Sequence, residues 1–334
     1  MANVSTATVS HVVNQSRKVK AETSARVLDA IRRLGYSRNA AARSLVTGRP
    51  HLFGMVVSDF CNPFFPEVAA AFQEQALLND VDALVMNANF DPHRTLSCVR
   101  RLLGLQVPAI ALMTSQIDPQ VRDLLLQNKV SSVYLDLGVV GPFVANIRVD
   151  YENGVRAAVR HLLALGHRRI GYIGGSAELR SVARRQEAFF AATAGVVGLE
   201  VATVECDFTM QDGYVACARL LARLAPTAVV AVNDVVAIGA MHCASDRGAG
   251  VPEDLSIVGF DDITFAEYAQ PALTTVRISR STIGRLAFQA LMEMLKGPDQ
   301  VGREHGVETS LVVRDSTGAP AKVEDHSRLI QEIP

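Results

Sequence analysis

Between residues 51 and 262 the apolar positions fall in short dense runs separated by stretches of helical period. The runs are HLFGMVV (51–57), VDALVMNA (81–88), VPAIALMT (107–114), VSSVYLD (130–136), RRIGYIGG (168–175), VATVECD (201–207), TAVVAV (227–232) and LSIVGFDD (255–262). Helical patterns occupy, for example, 151–165, 180–194, 212–224 and 279–296. Strands of a parallel sheet are covered on both faces, so they are apolar on both sides and do not alternate. Two sets of such strands, interleaved with helices, predict an α/β body of two doubly wound lobes.

The first fifty residues follow another pattern. In VSTATVSHVVNQ, Val9, Val12 and Val13 stand at i, i+3 and i+4, one stripe of a helix. Ser5 is placed to cap it. Its other side carries Thr6, Ala7, Ser10, His11 and Asn14, mostly short side chains that let a helix lie close to base edges in a major groove. The polar turn NQSRKVKAET leads into a second helix from Ala21 or Thr23, with Val27, Leu28, Ile31 and Leu34 as its stripe and Gly35 as its stop. The pair reads as part of a helix-turn-helix unit. Asn39 can cap AAARSL, a helix of about two turns that needs a packing partner to form. Gly48 and Pro50 mark a linker.

Charge sharpens this division. The chain of 334 residues has a net charge of −1, yet residues 1–50 carry nine Lys or Arg against two acids, a charge of +7 on a body of −8. A basic head on an acidic body fits phosphate binding at one end. The hydrophobic share of 49% and charged share of 20% suit a globular chain. No apolar run reaches the ~18 residues of a membrane helix, and no secretory signal is visible, so a cytoplasmic protein is expected. Five scattered cysteines without CxxC spacing read as small hydrophobes in a reducing compartment.

In doubly wound sheets ligands sit outside the carboxyl ends of the strands. Asp59, Asp136, Asn233, Asp234, Asp261 and Asp262 fall at those ends, and Arg185 near the start of a helix. Carboxylates with a planar arginine suit a polyhydroxyl ligand, whose hydroxyls both donate and accept. Asp at a strand end is also a common turn former or cap, the favoured reading for Asp59 and Asp262. GYIGGS lacks GxGxxG and a Walker lysine, and His161 and His167 lack metal-ligand spacing. With no catalytic motif, no enzyme activity, cofactor or metal is expected.

VSTATVSHVVN, LGYSRNAAARSL and the ordered body motifs make residues 2–315 resemble the LacI/GalR family of bacterial repressors. The resemblance implies a DNA-reading headpiece over 1–36, contacting operator through Ser5, Thr6, Ala7, Ser10, His11, Asn14, Tyr36, Asn39 and Leu45. It implies a hinge helix and linker over 37–50, where Leu45 wedges into the minor groove of kinked DNA. His11 stands where many members have arginine, which implies a different operator preference at that base. Members open with about ten further residues that form a first helix, so the expected headpiece is truncated. Over 51–317 it implies a periplasmic-binding-protein-like core: lobe 1 about 51–150 plus 278–308, lobe 2 about 151–277 plus 309–317, then a flexible tail 318–334. Effector contacts fall on Phe64, Asp136, Arg185, Asn233 and Asp261, and Ala188 replaces a common glycine. The implied partners are near-palindromic double-stranded operator DNA, a small-molecule effector (a sugar first, a nucleobase second) and a second copy of the chain as homodimer, with no membrane. The rival expectations are a ligand-binding dimer with lost or weak DNA binding, and a solute-binding protein for transport.

Overall fold

The computed structural model describes residues 2–14, 17–35, 52–114, 117–297 and 299–321. The chain divides into two compact units, Met1–His51 and Leu52–Pro334. In the first unit α1 (Thr6–Asn14) and α2 (Ala21–Leu34) pack together. The Ser5 hydroxyl accepts from the Thr8 N–H at 3.2 Å, which caps α1. Gly35 ends α2 at φ 59°, a left-handed turn in which its N–H reaches the Ile31 and Arg32 carbonyls. Val12, Val27 and Ala30 are buried, whereas Leu28 and Leu34 are 47% and 62% exposed. The predicted stripe of α2 is therefore only half covered: two helices can bury one flank of each stripe. The other flank opens on a groove of about 630 Å³ lined by Val4, Val9, Ile31 and Leu34.

The second unit holds two six-stranded sheets. The first takes β1 (Leu52–Val57), β2 (Asp82–Asn87), β3 (Ala109–Met113), β4 (Ser131–Leu135), β5 (Val144–Val149) and β11 (Glu304–Val307), in the order β2-β1-β3-β4-β5-β11. The second takes β6 (Arg169–Gly174), β7 (Glu200–Glu205), β8 (Ala228–Ala231), β9 (Ser256–Asp261), β10 (Thr274–Ile278) and β12 (Thr309–Val312), in the order β7-β6-β8-β9-β10-β12. All pairings are parallel except β10 with β12. The intervening helices are α3 (Phe64–Leu78), α4 (Pro92–Gly104), α5 (Pro119–Gln127), α6 (Tyr151–Ala164), α7 (Arg180–Thr193), α8 (Met210–Leu224), α9 (Asp234–Asp246), α10 (Thr264–Tyr268) and α11 (Arg280–Lys296).

Every residue of β3, β4, β8 and β9 is buried, while the edge strands β2 and β7 are largely half-exposed or exposed. That is the burial expected of parallel sheets sandwiched between helices. Four strands escape the apolar-run pattern. β5 and β10 carry Asn146, Thr274 and Thr275, all buried. Each finds a partner: Asn146 donates to Glu304 at 3.0 Å and Thr275 to Asp234 at 2.5 Å, while the Thr274 hydroxyl accepts from the Arg314 N–H at 2.9 Å. β11 and β12 are only four residues each.

The chain passes from one sheet to the other after β5, after β10 and between β11 and β12. These crossings are tied together. The Thr309 hydroxyl donates to the Asp150 carbonyl at 2.7 Å, and the Asp150 N–H donates to the Val307 carbonyl at 3.0 Å. No helix among the described residues is long and apolar enough to cross a membrane.

Candidate functional site

On the first unit, Ser5, Thr6, Ala7 and Ser10 are exposed on α1, and His11 is half-buried. Arg17, Lys18, Lys20, Arg26, Arg32 and Arg33 are all exposed. Short polar side chains on one helix and cations around it suit a duplex surface, where phosphates supply affinity and base edges supply specificity. Tyr36, Asn39, Leu45, the hinge, the linker and the side chain of Asn14 lie outside the described residues.

In the second unit both sheets reverse strand order, between β1 and β3 and between β6 and β8. The carboxyl ends of strands at such switch points face a crevice. The crevice here is a cavity of about 50 Å³. From the first lobe it is lined by Asn62, Phe64, Phe65 and Phe90, and from the second by Arg185, Phe208, Asn233 and Asp261. Phe90 and Phe208 meet across it, with ring centroids 5.1 Å apart. Phe65 links to both Phe64 and Phe90 by edge contacts. This aromatic wall holds the cleft nearly shut. A wider recess of about 320 Å³, lined by Glu205, Asp207 and Asp212, lies beside the edge strand β7 and away from the switch point.

Arg185 is fixed before any ligand arrives. Its Nε donates to the Ser181 carbonyl at 3.1 Å, and Nη1 donates to the Val232 carbonyl at 2.6 Å. Its guanidinium lies 5.1 Å from both the Tyr151 and the Phe260 ring centroids. Nη1 stands 3.8 Å from the Asp261 carboxylate, with both side chains largely buried. Asp261 itself has φ 106°, a strained backbone for a residue with a Cβ. Burial pushes its carboxyl up to about 6, although Arg185, a hydrogen bond from Asn62 and Arg280 pull it down. Asn62 therefore reaches from the first lobe to a carboxylate of the second. Asn233 caps α9, accepting from the Val236 N–H at 2.8 Å, and Phe64 is buried in the wall.

Asp136 stands apart from the other four expected contacts. It does not line the cavity. Its carboxylate accepts from the Tyr151 hydroxyl at 2.6 Å, the Val149 N–H at 3.0 Å and Arg184 at 3.1 Å. Burial raises its carboxyl despite these donors. The structure thus places Asp136 behind Tyr151, whose ring lines the cavity, as a residue that positions that ring. Asp59 accepts from the Cys61 and Asn62 N–H groups, and Asp262 is held by Arg277 at 2.5 Å and Arg314 at 2.7 Å. Both serve local structure. Asp234 is wholly buried, its carboxyl raised well above the usual range by burial and by Asp261. Ala188 is buried and lies outside the lining. His167 hydrogen-bonds Thr227 and the Gly318 carbonyl, each at 2.9 Å, and burial lowers its imidazole.

Sequence reasoning misses Asn62, Phe65, Phe90, Tyr151 and Phe208. The motif NPFF holds a signal for two of them, since Asn62 accepts from the Phe64 N–H at 3.0 Å and so starts the helix that presents both phenylalanines. Phe90 and Phe208 are 118 positions apart, and nothing local marks them as partners.

Residues 1–39 match the family described as bacterial regulatory proteins, lacI family, and residues 159–317 match the periplasmic binding protein-like domain. A transcriptional repressor PurR of the helix-turn-helix type from Mannheimia succiniciproducens is 35% identical over 95% of this chain and 96% of the relative. The chain belongs to the lacI family of bacterial regulatory proteins. A PurR repressor from Photobacterium profundum is 31% identical over the same shares of both chains. Among solved structures, a Lac repressor dimer bound to operator and the anti-inducer ONPF aligns at TM-score 0.81 and 27% identity, over 95% of this chain and 97% of that one. A lacI-family regulator from Enterococcus faecium with bound ribose aligns at TM-score 0.74 and 26% identity, over 80% of this chain and 99% of that one. The PurR and Lac relatives are repressors, and the Enterococcus faecium one a transcriptional regulator.

Proposed function

We propose that this chain is a sequence-specific repressor, acting as a homodimer, whose hold on operator DNA is set by a small polyhydroxyl effector in the cleft between the two lobes. The observation that carries the reading is the fixed Arg185 beside Asp261, enclosed by aromatic side chains from both lobes, in a chain that also bears a basic helix-turn-helix unit. A sugar ring suits this site: its C–H faces pack on Phe64 and Phe65, and its hydroxyls can donate to Asp261 and accept from Arg185. The ribose in the Enterococcus faecium neighbour and the cellobiose complex of the regulator CelR, TM-score 0.71, support that class.

Both lobes contribute lining, so a bound effector favours one degree of closure over another. A sugar needs far more room than about 50 Å³, and the cleft opens to admit it. Leu77 and Leu78, 79% and 72% exposed on α3, give a single chain an apolar surface that a second copy would cover.

The test is operator binding by fluorescence anisotropy, titrated with pentoses, hexoses, disaccharides and nucleobases, in the full chain and in Arg185→Met. A sugar that alters operator affinity in the parent and at least tenfold more weakly in the variant supports the reading. A response confined to nucleobases overturns the sugar class. Operator affinity indifferent to every ligand that binds the cleft overturns the mechanism.

A further inference from the structure

Two buried thiols on neighbouring helices meet outside the effector site. Gly213 of α8 and Gly239 of α9 let the two helices run in close contact. A Cβ on Gly213 would fall 2.4 Å from the Val236 carbonyl oxygen, and one on Gly239 would fall 2.0 Å from that of Met210. Cys217 and Cys243 each follow their glycine by four residues, in GYVAC and GAMHC. A spacing of four returns to the same face of a helix, so the next turn brings sulfur to sulfur. Both side chains are fully buried, and each sulfur is the leading influence on the other's titration. Arg247, half-buried at the end of α9, donates to the Cys243 sulfur at 3.0 Å, so a side chain that reaches solvent touches the pair directly.

We propose that Cys217 and Cys243 form a peroxide-sensitive dithiol that closes reversibly to a disulfide, with Cys243 as the attacking sulfur and Cys217 as the resolving one. The two sulfurs differ in the required direction. The neighbouring Cys217 and the charge of Arg247 lower the Cys243 thiol below its ordinary value, while the neighbouring Cys243 and burial hold the Cys217 thiol well above it. By contrast, burial raises Cys98 and pushes Cys206 up to about 12.

The chemistry balances in two steps. The Cys243 thiolate attacks one oxygen of hydrogen peroxide; an S–O bond forms, the O–O bond breaks, and hydroxide leaves to become water. Cys217 then attacks the sulfenic sulfur; the S–S bond forms, the S–O bond breaks, and hydroxide leaves with the Cys217 proton as a second water. The sulfurs lose two electrons and the peroxide gains them. Helices already in contact need only draw the sulfurs in to about 2.05 Å. Burial excludes bulky thiol reagents, so the pair responds to a small hydroperoxide and not to a protein disulfide. The bond would tie α8 to the helix whose cap is Asn233.

The experiment treats the full chain with hydrogen peroxide, blocks remaining thiols with iodoacetamide under denaturing conditions, and maps peptides by mass spectrometry without reductant. The expected result is a Cys217–Cys243 cross-linked peptide that dithiothreitol abolishes. In Cys217→Ser, dimedone added together with the denaturant should mark a sulfenic acid on Cys243, and Arg247→Gln should slow cross-linking by roughly tenfold, because the charge that favours the Cys243 thiolate is gone. The proposal is overturned if both cysteines emerge alkylated and unlinked while the exposed Cys61 oxidises, or if the rate is unchanged in Arg247→Gln.

Discussion

Asp261→Asn should stabilise the free protein at neutral pH and lose that advantage in mild acid. Asp261 is fully buried, and its carboxyl is raised from 3.8 to about 6 by burial that Arg185, Asn62 and Arg280 only partly offset. An acid whose folded value is raised binds more protons folded than unfolded between those values, so stability falls as pH rises from about 4 through 6. A rise of about two units makes the charged carboxylate cost on the order of 3 kcal/mol at and above neutrality. About half of that develops between pH 5 and pH 8, because the folded group is mostly protonated at the lower value and mostly charged at the upper. Asparagine mimics the protonated acid and removes the pH-dependent part. Asp136 titrates in both proteins and cancels in the difference, and Asp234, whose carboxyl Asp261 helps to raise, is still held up by burial in the variant.

The assay is denaturant unfolding of parent and Asp261→Asn at pH 5, 6, 7 and 8. The expected result is a gap in favour of the variant that widens by about 1.4 kcal/mol from pH 5 to pH 8. Parallel profiles, or a parent that gains on the variant as pH rises, would refute the reasoning. The same carboxylate should accept from effector hydroxyls, so the more stable variant should also bind effector more weakly, the exchange of stability for function that buried site charges impose.

Tyr151→Phe removes the hydroxyl that donates to the buried Asp136 carboxylate; it should cost about 1–3 kcal/mol in thermal or denaturant unfolding, and a loss under 0.5 kcal/mol would contradict the placement of Asp136. Phe90→Ala and Phe208→Ala each break the contact across the cleft; effector association measured by stopped flow should quicken in both, and slower association would show that the wall does not gate entry. His11→Arg should shift the operator base preferred in binding-site selection, since arginine offers a bidentate contact to guanine where neutral histidine donates once; identical selected sites would argue that His11 does not read a base.

Much of the architecture is legible along the chain because one physical rule writes it. A strand covered on both faces must be apolar throughout, and central strands such as β3 and β9 announce themselves in AIALM and SIVGFD. The two helices of the first unit announce themselves through Ser5, the valine stripe and Gly35, all of which act within a turn or two. Strands β5 and β10 do not, because their buried Asn146, Thr274 and Thr275 are satisfied by Glu304, Arg314 and Asp234, groups that only folding brings near. The half-covered stripe of α2 has the same origin: periodicity marks Leu28 and Leu34 as apolar and cannot say what packs on them.

The site divides in the same way. Strand-end position and residue type single out Asn233 and Asp261 from sequence, since a doubly wound sheet offers its carboxyl ends to the crevice, while Arg185, on a helix, is marked by the family resemblance. Asp136 shares those credentials, yet the fold spends its carboxylate on Tyr151, Val149 and Arg184. Phe90 facing Phe208, Asn62 reaching Asp261, and Cys217 against Cys243 are contacts between residues distant along the chain. Sequence alone determined the central strands, the two helices of the first unit and the polar groups at the strand ends, because those are local consequences of period and burial. Tertiary structure alone decided which groups face one another, because long-range contacts are set by how the layers pack and leave no mark on the residues beside them.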